Sequence, residues 1–153
     1  MKITIAAILP RKPKPAPQPA EALFADYAQR IARYLPGDLD IQRFPTEAAM
    51  LTWLDQQAAR SAPHLILLDA RGKQLSSEDL AALIGRHRDS ATQSLIFAIG
   101  PADGWPEAAR ARANLLLSFG PITLPHDLAR VVLAEQLYRA LTILAGHPYH
   151  SGH

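Results

Sequence analysis

His64-Leu65-Ile66-Leu67-Leu68 and Ser94-Leu95-Ile96-Phe97-Ala98-Ile99 are two short, near-continuous apolar runs. A strand covered on both faces reads this way, because neither side of its pleat meets water. Between them Ser76, with Asp79 three residues on, resembles a capping box with acid in place of the usual Glu or Gln, and predicts a helix to about Arg88. A strand, a helix and a second buried strand make the unit of a parallel sheet.

The same alternation extends outward. Upstream, Leu39–Phe44 alternates apolar and polar residues as a strand does. Thr46 is the N-cap expected for a helix through Arg60, with Met50, Leu51 and Leu54 turned inward. Further upstream, Ile3–Leu9 reads as a strand. Leu23, Phe24, Tyr27, Ile31 and Tyr34 fall on one face of a helix that Pro36-Gly37 stops. Downstream, Pro106 opens a short helix to about Ala113, Leu115–Ser118 is a last strand, and a helix from about Pro125 to Ala145 ends at Gly146. The order βαβαβαβαβα predicts one α/β domain over residues 1–153, a parallel sheet flanked by helices.

Composition narrows the chemistry. The 153 residues suit one core; 48% are hydrophobic and 20% charged, the balance of a folded globular chain. A net charge of +2 permits an RNA partner without demanding one. Without cysteine there is no disulfide, thiolate metal site or thiol nucleophile, which fits a reducing compartment. Pro10-Arg11-Lys12 directly after Leu9, with no small-residue cleavage site, argues for a buried strand rather than a secretory leader. No apolar run approaches the roughly 18 residues of a membrane span. Residues 10–19 are Pro-rich and basic and predict a loop.

The common nucleotide fingerprints, G-x-G-x-x-G and G-x-x-x-x-G-K-[ST], are absent. Gly100 to Gly104 is a tight turn after a strand, either an ordinary turn or a place where backbone meets a ligand. His147, His150 and His153 form H-x-x-H-x-x-H, but Pro148 breaks regular geometry, so no metal site is expected. Ser118, His126 and Asp127 lack the G-x-S-x-G elbow of a hydrolase, and adjacent helical residues do not face each other. The last helix carries Leu128, Val131, Val132, Leu137, Leu141 and Leu144, punctuated by Arg130, Glu135 and Arg139. That surface is wider than one core-facing stripe, so the helix is either a core helix or one shared with a dimer partner.

Several segments recur together in an order and spacing that identify a family. They are Leu68-Asp69-Ala70-Arg71-Gly72-Lys73, Ser76-Ser77-Glu78 and Phe97 through Gly104. After them come Leu117-Ser118-Phe119-Gly120-Pro121-Ile122-Thr123-Leu124-Pro125-His126, then Glu135 through Ala140, and finally His147-Pro148-Tyr149-His150. Over essentially the whole chain this resembles the ribosomal RNA large subunit methyltransferase H family of the SPOUT superfamily, most strongly from residue 64 onward.

The resemblance implies an α/β knot, with the C-terminal part of the parallel sheet threaded into a trefoil knot. It implies a cytoplasmic homodimer that uses S-adenosyl-L-methionine to methylate N3 of a pseudouridine, position 1915 in helix 69 of 23S rRNA, in the ribosome, with no membrane and no metal. Leu68 would end the third strand beside the cofactor, and Gly100 would begin the family's Gly-Gly turn. Phe119, Gly120, Pro121, Ile122, Thr123 and Leu124 would form the loop around the adenine and methionine parts, bound mostly by backbone. Backbone recognition suits a cationic sulfonium, which a nearby Lys or Arg would repel. Methyl transfer needs alignment above all, and an acceptor for the N3 proton. His150 is the expected acceptor, Tyr149 and Arg139 position the RNA, and His126 is a further candidate.

Two positions depart from the family pattern. Pro101 stands where the second Gly is usual, and Ser151 where an Arg is usual. Proline removes an N–H and fixes φ. The basic residues Arg11, Lys12 and Lys14 either compensate for the missing Arg or form an ordinary solvated loop. A catalytically impaired protein of the same fold that grips ribosomal RNA is therefore the second reading, and a regulatory module binding metal through the terminal histidines the third.

Overall fold

The computed structural model describes residues 1–9, 18–101 and 103–152. The strands are β1 (Lys2–Ile8), β2 (Leu39–Phe44), β3 (His64–Gln74), β4 (Ser94–Ile99) and β5 (Leu115–Ser118). The helices are α1 (Pro19–Tyr34), α2 (Glu47–Arg60), α3 (Ser77–Asp89), α4 (Glu107–Arg112) and α5 (His126–Leu144). They build a five-stranded sheet in the order β2-β1-β4-β3-β5, and all four pairings are parallel. The parallel α/β reading holds. Most of the Pro-rich loop, residues 10–17 with Arg11, Lys12 and Lys14, and the third tail histidine, His153, lie outside the described residues.

Strand periodicity divides the core between the two faces of the sheet. Ile3, Ile5, Ile66, Leu95, Phe97 and Leu117 join Phe24 and Ile31 of α1, Leu80 and Ile84 of α3, and Leu133 and Leu137 of α5. Their neighbours in sequence, Ala6, Ile8, Leu65, Leu67, Ile96 and Ala98, meet Met50 and Leu54 of α2, Ala109 of α4 and Trp105 on the opposite face. Burying a side chain of this size contributes about 1.5–3 kcal/mol, so a one-residue register slip would undo both layers together. Local signals agree. The Thr46 hydroxyl accepts from the Ala49 N–H and the Ser76 hydroxyl from the Asp79 N–H, each capping the helix expected there.

Three details differ from the sequence reading. Leu23 is 45% exposed: Phe24 and Ile31, seven residues apart, set the inner face of α1, and Leu23 lies outside it. Arg130 is buried (3% exposed), its guanidinium bonded to Glu21 at 2.6 Å and 3.8 Å from the centre of the Phe24 ring. Most consequential, β3 does not end at Leu68. Its pairing with β4 does end there, at Ile99, but β3 continues to Gln74 past an irregularity between Leu68 and Lys73, both of which pair with Leu117. Gly72 explains how this fits. A Cβ there would lie 2.5 Å from the Leu116 carbonyl carbon, so the backbones approach as only glycine allows.

Candidate active site

The carboxyl ends of β4 and β5, and β3 where its pairing with β4 stops, converge with the segment joining β5 to α5 around a cleft of about 490 Å³, within the usual range for small-molecule sites. Leu68 and Gly100 line it. So do Phe119, Gly120, Ile122, Thr123 and Leu124, and so does His126 at the start of α5. Of the expected cofactor residues only Pro121 is not in the wall. Gly120 has φ +105°, a left-handed value that turns the chain after β5, and its N–H donates to the Ser118 hydroxyl at 3.0 Å. Among the described residues, the N–H groups of Ile122, Thr123 and Leu124 have no hydrogen-bond partner. They are free to donate to a ligand, as backbone recognition requires.

The floor holds residues that sequence reasoning missed. Trp105 donates its indole N–H to the Leu68 carbonyl at 3.0 Å. Gly100 is required by this ring, because a Cβ there would lie 2.6 Å from an indole carbon. Asp69 is buried and accepts from the backbone N–H, Nε and a terminal nitrogen of Arg71 at 2.9–3.0 Å, and Arg71 donates onward to the Trp105 carbonyl. The Arg71 hydrogen bond holds the Asp69 carboxyl below its ordinary range, against the opposing effect of burial. An arginine does border the cleft, contrary to expectation, but Asp69 pairs with its charge. The polarity was visible in Asp69 and Arg71 themselves; that Trp105 would close over them was not.

Pro101 also lines the cleft. It has no N–H to offer, and its carbonyl accepts from Gly104 N–H at 3.0 Å, closing the turn after β4.

The remaining expected residues gather elsewhere. Gly146, at φ +72°, donates to the Ile143 carbonyl while His147 N–H donates to Thr142. This Schellman pattern reverses the chain and lays residues 147–152 back along α5. Tyr149 stacks edge-on against Tyr138 at 4.7 Å, its hydroxyl donates to Glu135 at 3.3 Å, and Arg139 lies 4.9 Å over its ring. Burial, with a hydrogen bond to Tyr27, pushes the Tyr149 phenol up to about 12, so it is neutral at physiological pH. Arg139 pairs with Glu135 at 2.7 Å, and that bond outweighs the burial of the guanidinium and raises its pKa. The His150 ring contacts Arg139 through Nδ1 at 3.1 Å and Glu78 of α3 through Nε2 at 2.6 Å.

None of Arg139, Tyr149 and His150 lines the cleft. Ala129, which does, precedes Arg139 by ten residues of α5, roughly 15 Å along the axis. One chain therefore carries the two halves of the expected site at separate places. Ser118 has its hydroxyl engaged by Gly120 and Asp127 accepts from Leu128 N–H, so no hydrolytic triad forms with His126. Among the described residues no group of three or more His, Cys, Asp or Glu could hold a metal, and no helix is long and apolar enough to cross a membrane.

Comparison with known proteins agrees with this geometry. A family model described as Predicted SPOUT methyltransferase matches residues 1–150. A protein named ribosomal RNA large subunit methyltransferase H from Koribacter versatilis is 52% identical over 134 residues, 87% of this chain and 89% of its own. One of the same name from Brucella ovis is 60% identical over 86 residues, 56% of this chain and 51% of its own. Among solved structures, one described as a Probable Methyltransferase from Bordetella pertussis Tohama I superposes with TM-score 0.52 at 16% identity, covering 92% of this chain and 96% of that one. The SpoU methyltransferase AviRb from Streptomyces viridochromogenes, in complex with AdoMet, gives TM-score 0.50 at 14% identity over 95% of this chain and 61% of that one. At such identities the structures speak to the fold alone, a parallel sheet flanked by helices, in agreement with the SPOUT family model. On the strength of the matched length and the identity to its relatives, the chain belongs to the SPOUT methyltransferase family, among the ribosomal RNA large subunit methyltransferase H proteins.

Proposed function

We propose that this protein is a cytoplasmic, S-adenosylmethionine-dependent methyltransferase of large-subunit ribosomal RNA, acting as a homodimer on N3 of a pseudouridine in helix 69 of 23S rRNA. The observation that carries the reading is the cleft: Ile122, Thr123 and Leu124, whose N–H groups have no partner among the described residues, line it together with Leu68, Gly100 and Phe119. These residues fit the cofactor. Apolar walls suit the adenine and methionine chains, backbone N–H groups suit the ring nitrogens, and the one arginine at the edge is paired. When bound, the cofactor supplies an electrophilic methyl group on a sulfonium.

The chain's own residues then align the acceptor and take its proton. His150 is the proton acceptor, and Tyr149 and Arg139 position the RNA; the neutral Tyr149 phenol suits a hydrogen-bonding role. Because these three stand off from their own cleft, the tail of one protomer serves the cleft of its partner. The exposed apolar side chains of Ile122 (66%) and Leu128 (42%), beside the cleft, fit burial in such a dimer.

Incubating the protein with ribosomes that lack the modification, with methyl-labelled cofactor, and mapping 23S rRNA by mass spectrometry tests this directly. One added methyl on the helix 69 pseudouridine is expected; no label, or label elsewhere, overturns the substrate assignment. Pro101 favours a second reading, an RNA-gripping protein that no longer binds the cofactor, since a backbone donor is missing from the cleft wall. RNA binding that falls steeply with salt but proceeds without cofactor uptake would distinguish it.

A further inference from the structure

We propose that Glu78 is a positioning residue for His150, setting its tautomer and orientation so that Nδ1 is the nitrogen that takes the proton. The inference rests on the assignment of His150 as proton acceptor and names a residue on another element that makes it competent.

Which groups can donate fixes the tautomer of the ring. A guanidinium donates only, so the His150 Nδ1 facing Arg139 at 3.1 Å carries the lone pair. An ionised carboxylate accepts only, so the Nε2 facing Glu78 at 2.6 Å carries the hydrogen. Glu78 is held in that ionised form: the His150 hydrogen bond keeps its carboxyl below the ordinary range. One tautomer satisfies both contacts, and its free pair is on Nδ1.

The two partners have different tasks. Glu78 stands in the first turn of α3, whose cap Ser76 is fixed to Asp79 N–H, so its backbone is anchored on a rigid element. Arg139 is a bound guest on Nδ1, anchored separately to Glu135 through Nε and NH2. An RNA phosphate that draws Arg139 aside uncovers the Nδ1 pair while Glu78 keeps its grip on Nε2–H. The acceptor nitrogen then gives its proton to Nδ1 and its freed pair to the methyl carbon; the pair of the broken C–S bond stays on sulfur. The imidazolium that results has a carboxylate on its far side, the arrangement that stabilises a protonated histidine. Among the described residues, the charged groups bonded to the ring are Glu78 from α3 and Arg139 from α5; Arg139 is in turn paired with Glu135 and lies over the Tyr149 ring, whose hydroxyl also reaches Glu135.

The test uses the full-length protein, Glu78→Ala, Glu78→Gln and a His150→Ala control. The Glu78 side chain is 63% exposed, so these variants fold. Nitrogen NMR of the labelled imidazole is read without cofactor or RNA in an Arg139→Ala background, so that Glu78 alone sets the tautomer; His150 should be the Nε2–H form where Glu78 is present and a mixture in Glu78→Ala. The kcat of Glu78→Ala should fall at least about tenfold, with the KM for RNA and the cofactor Kd within about twofold. Glu78→Gln keeps an acceptor oxygen and should restore the tautomer and part of kcat. Wild-type kcat, or an unmoved tautomer, in Glu78→Ala overturns the inference while leaving His150 as the acceptor. Wild-type methylation by His150→Ala overturns both assignments.

Discussion

Trp105 and Leu68, 37 residues apart in sequence, are joined by an indole hydrogen bond of 3.0 Å, and the ring that makes it occupies the space a side chain would need at Gly100. The cleft floor is thus one unit: the end of the β3–β4 pairing, the glycine that closes β4, and the tryptophan that follows the turn. Gly100→Ala should therefore displace the ring. Overpacking of this kind costs about 1–3 kcal/mol, and loss of the Leu68 bond should weaken cofactor binding at least about tenfold. Urea unfolding and calorimetry measure the two effects separately. Trp105→Phe keeps most of the volume and should cost only about 1 kcal/mol.

Asp69 contributes a pH dependence whose sign follows from its lowered pKa. A carboxylate easier to ionise in the fold than in the unfolded chain stabilises the protein above its ordinary value of 3.8, and that stability is lost as pH falls below it towards the lower folded value. Asp69→Asn should lower the urea midpoint at neutral pH and flatten its decline below about pH 4. An acid limb identical to wild type would show that the Arg71 pair is not the cause.

His64 and His87 face each other with ring centres 4.1 Å apart, at the opposite end of β3 from the cleft. Burial depresses both pKa values; the neighbouring ring adds to the effect on His64, and Arg86 to that on His87. Both are therefore harder to protonate in the fold than in the unfolded chain, whose value is near 6.5. Stability is full above that value and declines as pH falls through the lowered folded values. His87→Gln should flatten the stability profile between about pH 7 and pH 5, with methylation at pH 8 unchanged. Thermal unfolding across that range is the measurement.

If tail and cleft act across the dimer, two defective chains should complement. His150→Ala keeps the cleft, and Gly120→Val keeps the tail while forcing a left-handed φ of +105° on a branched residue. Each alone should be nearly inactive. Co-refolded in equal amounts they should recover roughly a quarter of wild-type activity, since half the dimers are mixed and each has one intact pairing. No recovery, with mixed dimers verified, would place tail and cleft in the same chain.

Much of this architecture was legible before the structure. β2, β4 and β5 begin and end where their apolar runs do, because proline, glycine and polar caps bound them sharply. The loop proposed to hold the cofactor could be named only through resemblance, since backbone N–H groups leave no side-chain signature. What escaped was non-local. Asp69 to Lys73 looks like a loop in sequence, and only contact with Leu116 and Leu117 makes it strand. Arg130 looks like a surface charge until Glu21 and Phe24 close over it. The course of the tail was not legible either, because the turn at Gly146 sends it back along α5 rather than into the cleft of its own chain.

Titration of the purified protein with S-adenosylmethionine in a calorimeter, wild type beside Gly120→Val, probes the claim on which the rest depends. One site per chain in the wild type, lost in the variant, is the predicted result. No heat of binding in folded wild-type protein would contradict the account and leave a SPOUT fold without its methyl donor.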